Sequence, residues 1–387
     1  MSMLSKAYYR AWREIDLANL EHNLFELRSV LPTECNIMAV VKADAYGHGS
    51  VQVARQLSKA GVHFFAVAEI SEGIALRKEG IKGSILVLGE TCESRFGELV
   101  RYNLQQTVIS ADYGRCLQAF GRKMNVHIKI DTGMNRLGES FDNKERVLSM
   151  YRHKNLRVIG TYSHLSTSDS LESADVDFTH TQIKRFNQTM EELKAEGVDP
   201  GILHIQSSYG IINYPEISCG LARPGIALYG LLSNGKEVNT TLSLRPVLSL
   251  RAKVVLVKNV KGNNPVGYGC DCLTSQDSKV ATISIGYADG IPRELSENGG
   301  YVLIRGQAAK IMGKICMDHL MVDVTHMDDV KRGDVATLIG QDGEAMITAE
   351  QVAEQCKTLT NEILSRIGNR VEFVYRNEGV NAKEISC

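Results

Sequence analysis

Between residues 12 and 230, short apolar runs of β type alternate with amphipathic helical stretches, each pair taking about thirty residues. The runs fall at 37–41, 64–68, 85–88, 107–109, 126–130, 158–163, 203–206 and 226–229. The clearest helix is predicted over Phe178–Lys194, where Ile183, Phe186, Met190 and Leu193 recur at helical spacing and Gly197 supplies the stop. About eight such units in series predict an α/β fold, a (β/α)8 TIM-like barrel. An open doubly wound sheet is the competitor, but its usual G-x-G-x-x-G first loop is missing.

After Arg245-Pro246 the period shortens to two. Val247–Ala252 and Lys279–Ser284 alternate, with turns at Lys261-Gly262-Asn263-Asn264, Glu297-Asn298-Gly299-Gly300 and Arg332-Gly333-Asp334. This predicts a mainly antiparallel β domain with one late helix over 348–355. The expected division is a cofactor-binding barrel over 12–245 and a β domain over 246–387, with residues 1–11 free to pack on the latter.

Composition narrows the field. At 387 residues the chain exceeds what a single core usually supports, which agrees with two domains. A net charge of −1 without blocks of like charge argues against nucleic acid or an anionic membrane surface. No apolar run reaches the roughly 18 residues needed to span a bilayer. The chain as given reads as cytoplasmic, either entire or as the cytoplasmic part of a membrane-anchored protein. Nine cysteines without a signal peptide do not form a disulfide framework. Cys270 and Cys272 lack a second pair of ligands, so no metal is expected.

The chemistry concentrates at one end of the barrel. Lys42 closes the apolar run Ala39-Val40-Val41 before Ala43-Asp44-Ala45-Tyr46-Gly47-His48-Gly49. A lysine leaving a buried strand is desolvated, which lowers its pKa and suits it to a Schiff base with an aldehyde. At the same ends of later strands lie Lys129 with Asp131 and Arg136, then His164, Ser207 and Ser208, while Arg223 precedes the eighth strand. Any one of these alone reads as an ion pair or a loop charge; repeated loading of one face points to a site. Ser207-Ser208-Tyr209-Gly210 and Pro224-Gly225-Ile226 offer hydroxyls and backbone N–H groups where barrels bind phosphate. A reactive lysine opposite a phosphate cradle describes a pyridoxal phosphate site.

These residues carry a resemblance. Val41–Gly49 is similar to the cofactor-lysine motif of bacterial alanine racemases. Lys129–Gly138, Arg223–Gly230, Ile285–Gly290 and Gly313–Asp318 match further motifs in family order. The resemblance implies pyridoxal 5'-phosphate as cofactor, a head-to-tail homodimer with shared sites and racemisation of a small amino acid by two bases. It assigns Lys42 to the D-face and Tyr287, from the other subunit, to the L-face. A phenol is a weak base at neutral pH, so this role calls for a cationic neighbour, and a link from His164 to Arg223 is the family's candidate. Tyr46, His164, Ser208, Arg223, Gly225 and Ile226 would hold the cofactor. Arg136 and the Met317 amide would hold the substrate carboxylate, and Lys129 would be carbamylated to orient Arg136. An arginine rather than a carboxylate at the ring nitrogen would suppress transamination.

Three positions depart from the usual alanine racemase text: Gln206, Asn135 and, above all, Asn361, where a tyrosine is typical. Replacing a phenol by an amide enlarges the site and adds hydrogen-bonding capacity that suits serine better than alanine. Gln206–Gly210 and Asn361–Arg366 resemble the racemase half of VanT-type serine racemases of vancomycin-resistant bacteria. The expected activity is interconversion of L- and D-serine, and of alanine, for peptidoglycan precursors. An ordinary alanine racemase is the alternative. A decarboxylase of the same fold is disfavoured by Arg223 and Tyr287, and a single-barrel cofactor carrier by the second domain.

Overall fold

The structure, a computed structural model, describes residues 9–233, 238 and 242–376. In chain order the first strands are β1 (Ala11–Asp16), β2 (Asn36–Val40), β3 (Phe64–Val67), β4 (Ser84–Val87) and β5 (Gln105–Val108). They continue with β6 (Met124–Asp131), β7 (Glu139–Ser140), β8 (Leu156–Tyr162), β9 (Ile202–His204) and β10 (Leu221–Ala222). Eight of them pair in parallel in the order β10-β2-β3-β4-β5-β6-β8-β9, with helices between, so the barrel expected from the sequence is present. The gap from β9 to β10 is bridged by amide bonds from Gly220 to Leu203 O (3.0 Å) and from Arg223 to Gln206 O (3.0 Å). The ring is therefore nearly closed. The helix expected over 178–194 runs over Ser173–Ala195.

One strand lies elsewhere than expected. The run 226–229 is a 3-10 turn, Ile226–Tyr229, and the eighth strand is the dipeptide Leu221–Ala222 before it. Pro224 has no N–H to donate and Gly225 departs from extended geometry (φ −114°, ψ −97°), so the ladder stops there. Arg223 thus follows the last strand instead of preceding it. All four turn residues are buried against the helix Leu17–Ser29 and its surroundings, and that burial is what made them resemble a strand.

The barrel interior is divided. Met38, Val40, Ala66, Leu86, Tyr162 and Leu221 form a small apolar cluster separate from the larger core between strands and helices. The other half is filled by buried Gln105, Thr107, His127, Lys129 and His204 from β5, β6 and β9. Such a lining must satisfy its own hydrogen bonds, and the site grows from it.

The second unit comprises β11 (Leu248–Val260), β12 (Ser278–Ile283), β13 (Tyr301–Ile304), β14 (Gln307–Met312), β15 (Leu320–Asp323), β16 (Val335–Asp342), β17 (Ala345–Ile347) and β18 (Glu372–Arg376). Strands β11, β16, β13, β14, β15 and β12 pair antiparallel around a ring, because β11 contacts both β12 and β16. Strand β1 joins this sheet between β11 and β18, so the chain starts there before entering the barrel. Residues 1–8, expected to pack on this unit, lie outside the described residues. The late helix spans Ala349–Gln355 behind a Thr348 capping box, and a further short helix, Thr360–Ser365, follows it. Among the described residues no helix is long and apolar enough to cross a membrane, and no group of three or more His, Cys, Asp or Glu side chains is placed to hold a metal.

The segment after β2 makes an unusual turn. Ala43, Asp44, Ala45 and Tyr46 all hold φ between 51° and 55°, a left-handed turn of four non-glycine residues. Each such residue costs about 1–2 kcal/mol, so the surroundings must impose the conformation. Glu72 accepts the Ala43 amide (2.6 Å), Asp44 Oδ1 accepts the Ser50 amide (2.7 Å), and His48 Nδ1 donates to Ala45 O and Tyr46 O (2.9 and 3.0 Å). The buried Arg13 guanidinium donates to Gly47 O (2.9 Å) and to the carbonyls of Ile367, Gly368 and Val371. One side chain of β1 thereby joins the lysine turn to the far end of the chain. Gly47 is required because a Cβ there would lie 2.3 Å from Leu364 O. Ala43→Val should lower stability by about 1–2 kcal/mol although Ala43 is exposed, whereas Ala43→Gly should not. Urea unfolding of the two variants checks this, and equal midpoints would contradict the left-handed turn.

Candidate active site

A cavity of about 540 Å3 opens at the carboxyl ends of the barrel strands. Its walls include Lys42, Tyr46, Lys129, Arg136, His164, Ser208, Arg223, Gly225, Ile226 and Asn361. Tyr287 and Met317 are not among them. They stand on the second unit, 41% and 52% exposed, on two loops locked together by bonds from the Tyr287 and Ala288 amides to Cys316 O and Met317 O (both 3.0 Å). Gly286 allows this approach, since a Cβ there would sit 2.3 Å from Cys316 O.

Positive charge dominates the cavity. Arg223 is buried, and its donors reach only neutral acceptors: Ser163 O (2.7 Å), Ile205 O (3.2 Å), His204 Nδ1 (2.8 Å) and His164 Nδ1 (3.2 Å). Burial lowers this guanidinium to about 10, so it stays charged. Burial, aided by the charges of Arg223 and Arg136, brings Lys129 down to about 7. Burial and then Arg136 push Lys42 down as well. Asp169 is the one carboxylate among these described walls, against Lys42, Lys129, Arg136 and Arg223. Such a balance favours an anionic ligand.

One wall is shaped for a phosphate. Ser208 Oγ accepts the amides of Gly225 (2.9 Å) and Ala227 (3.2 Å), which uses both lone pairs and leaves its proton to be donated. The Ile226 amide opens the 3-10 turn, where helical geometry offers it no carbonyl. The Tyr46 phenol, kept protonated by burial at about 12, lies where a Cβ on Gly225 would be 2.5 Å from its oxygen. Glycine at 225 therefore makes the space in which hydroxyl and amide donors converge.

Comparisons with known proteins identify the family. The model of the alanine racemase N-terminal domain matches residues 15–233, and that of the C-terminal domain matches 247–375. The chain belongs to the alanine racemase family. It is 45% identical over 368 residues to an amino-acid racemase of Enterococcus faecalis, covering 95% of this chain and 52% of that protein. It is 40% identical over 363 residues to a serine/alanine racemase of Enterococcus gallinarum, covering 94% and 51%. The chain thus spans about half the length of these relatives. The solved alanine racemase of Clostridium difficile superposes with a TM-score of 0.88 at 33% identity, covering 95% of this chain and 96% of that one.

Alanine racemase family proteins depend on pyridoxal phosphate, and the cavity fits it. The donors around Gly225 suit its phosphate, the desolvated Lys42 suits its aldehyde carbon, and the excess cations suit its negative charge. Within the family frame, two of the three sequence departures have local explanations. Asn135 holds φ 55°, a conformation that glycine and asparagine both adopt. Gln206 is buried and donates to Tyr214 O (2.9 Å) outside the cavity lining. Asn361 alone of the three lines the cavity.

Sequence reasoning missed Tyr162, His127 and His204. The Tyr162 ring centroid lies 4.5 Å from Lys129 Nζ and 5.0 Å from the Arg223 guanidinium carbon, and it stacks on His204 at 4.7 Å. No local motif marks these residues. Their one signal is strand parity, since His127 shares the inward face of β6 with Lys129.

Four histidines are held neutral, three of them buried and His164 at the cavity wall. Burial lowers His48 to about 4, His127 to about 3, and His164 and His204 well below their ordinary range, Arg223 adding to the last three. The unfolded chain takes up these protons below about pH 6.5 while the folded protein does not, so stability must fall as pH drops from there toward 4. Each histidine contributes up to about 1.4 kcal/mol per pH unit over that range. Thermal unfolding at stepped pH should show the decline, and a flat profile from pH 6.5 to 4.5 would refute the neutral assignment.

Proposed function

We propose that this protein is a pyridoxal phosphate-dependent racemase that interconverts L- and D-serine, and also alanine, in the cytoplasm. It would supply D-amino acids for peptidoglycan precursors, as the resemblance to the racemases of vancomycin-resistant bacteria implies. The observation that carries the serine reading is Asn361, whose side-chain oxygen is buried at the cavity with no protein partner. An unpaired acceptor there favours a substrate that brings a hydroxyl. We assign residues 17–233 to the barrel domain, and 246–376 together with β1 to the sheet domain.

When bound, the cofactor supplies an electron sink that acidifies the α-hydrogen of the amino acid. Lys42, lowered by burial and by Arg136, holds its amine ready to take or return a proton on the D-face. Tyr46, Ser208, Gly225 and Ile226 would hold the phosphate, and His164 would join them in orienting the cofactor through Arg223. Arg223, which gives up no proton, would present a permanent cation to the cofactor. Arg136 would hold the substrate carboxylate together with the Met317 amide, which a second subunit would deliver beside Tyr287. Lys129, near neutrality at about 7, is free to add CO2 and lose a proton, giving a carbamate that the adjacent guanidiniums hold. Tyr287 stands outside its own chain's cavity and exposed, which supports its delivery to the L-face of a second subunit in a homodimer.

A chiral assay with L-serine and L-alanine tests the activity, with CO2 release measured in parallel to expose a decarboxylase. Asn361→Tyr should lower the serine-to-alanine rate ratio by about tenfold or more, the scale set by a lost hydroxyl contact. An unchanged ratio would leave an alanine racemase. Lys42→Ala and Tyr287→Ala should each be inactive, yet mixing and reassociating them should restore about a quarter of the activity, because half the dimers then carry one intact site. No recovery would refute the shared site. Arg223→Glu should raise transamination relative to racemisation.

A further inference from the structure

A chain of hydrogen bonds crosses the barrel beneath the cavity. Arg223 Nη1 lies 2.8 Å from His204 Nδ1, His204 Nε2 lies 2.9 Å from His127 Nδ1, and His127 Nε2 lies 3.1 Å from Gln105 Oε1. Gln105 Nε2 then donates to Ser84 Oγ at 2.9 Å. Both imidazoles are buried at 1% exposure or less, so each ring nitrogen depends on these partners.

The chemistry of one end dictates the protons of the whole chain. A guanidinium has five N–H donors and no acceptor. His204 Nδ1 is therefore bare, and its proton sits on Nε2. That proton points at His127 Nδ1, which must be bare in turn, so the His127 proton sits on Nε2 and is given to Gln105 Oε1. No other order of protons satisfies all three contacts. A second proton on either ring would set N–H against N–H, or against the guanidinium. The backbone is shaped for this packing: a Cβ on Gly160 of β8 would lie 2.4 Å from His127 Nδ1.

We propose that His127 and Gln105 are positioning residues that take the His204 Nε2 proton, keep His204 Nδ1 a bare acceptor and so hold Arg223 in one orientation beneath the cavity. The proton order stands on the geometry alone; its effect on turnover rests on the proposed racemase reading. His127 touches neither cofactor nor substrate wall and acts only through the two residues above it.

The test is nitrogen NMR on the holoenzyme with 15N-labelled histidine, the signals assigned by their loss in His127→Asn and His204→Asn. Both rings should appear as neutral Nε2–H tautomers from about pH 6 to 8, where an ordinary histidine would titrate. An Nδ1–H tautomer or an imidazolium at either position overturns the proposal. His127→Phe removes the acceptor and should free the His204 tautomer and lower kcat about tenfold, the usual scale for an outer-shell partner, with KM nearly unchanged. His127→Asn keeps an acceptor at the Nδ1 position and should keep both the His204 pattern and most of kcat. A His127→Phe protein with the wild-type His204 signal and kcat overturns the positioning role. If that variant does not fold, the wild-type spectrum still decides the proton order. A wild-type protein with both Nε2–H signals but no racemisation would uphold the proton order and sink the functional reading alone.

Discussion

A buried guanidinium without a carboxylate sets the terms for the rest of this molecule. Arg223 can only donate, so its neighbours must be acceptors, and the fold supplies two carbonyls and two bare imidazole nitrogens. Among the described residues no carboxylate pairs with the Arg223 charge. That charge and the burial around it hold the nearby histidines neutral and bring Lys129 close to neutrality. The cavity above is consequently rich in cations and in reactive amines, the combination that an anionic aldehyde cofactor requires.

The second constraint is mechanical. Lys42 stands at the entrance to a left-handed turn that the chain would not adopt alone, and Arg13 clamps that turn to the carbonyls of 367, 368 and 371. The sheet domain is therefore no appendage. Its carboxyl-terminal segment buttresses the lysine turn at Gly47 and places Asn361 in the barrel mouth, while a different edge presents Tyr287 outward. One domain shapes its own chain's pocket from one side and leaves Tyr287 exposed on another.

Much of this was legible along the chain. The alternation of runs marked seven of the eight barrel strands, and the change of period near Pro246 marked the second unit. The eighth strand was missed because four consecutive apolar residues do not distinguish a strand from a buried 3-10 turn. The lysine, the serine and glycine of the cradle and Arg223 were all visible as chemistry at strand ends. Tyr162, His127 and His204 were not, because inward polar residues on a strand carry no motif and gain meaning only from what faces them across the barrel.

The sequence by itself determined the architecture and the place of the cofactor site, since both are written in local signals: periodicity for the elements, and reactive side chains beside strand ends for the chemistry. Only the tertiary structure decided where each polar residue stands and which groups it meets. Of three unusual positions it left Asn361 alone at the cavity, gave Asn135 a conformational reason and turned Gln206 into a structural donor. It separated Tyr287 from the pocket of its own chain. It also ordered the histidine protons, because hydrogen-bond direction depends on which groups meet in space, and residues 105, 127, 204 and 223 meet only when the barrel closes.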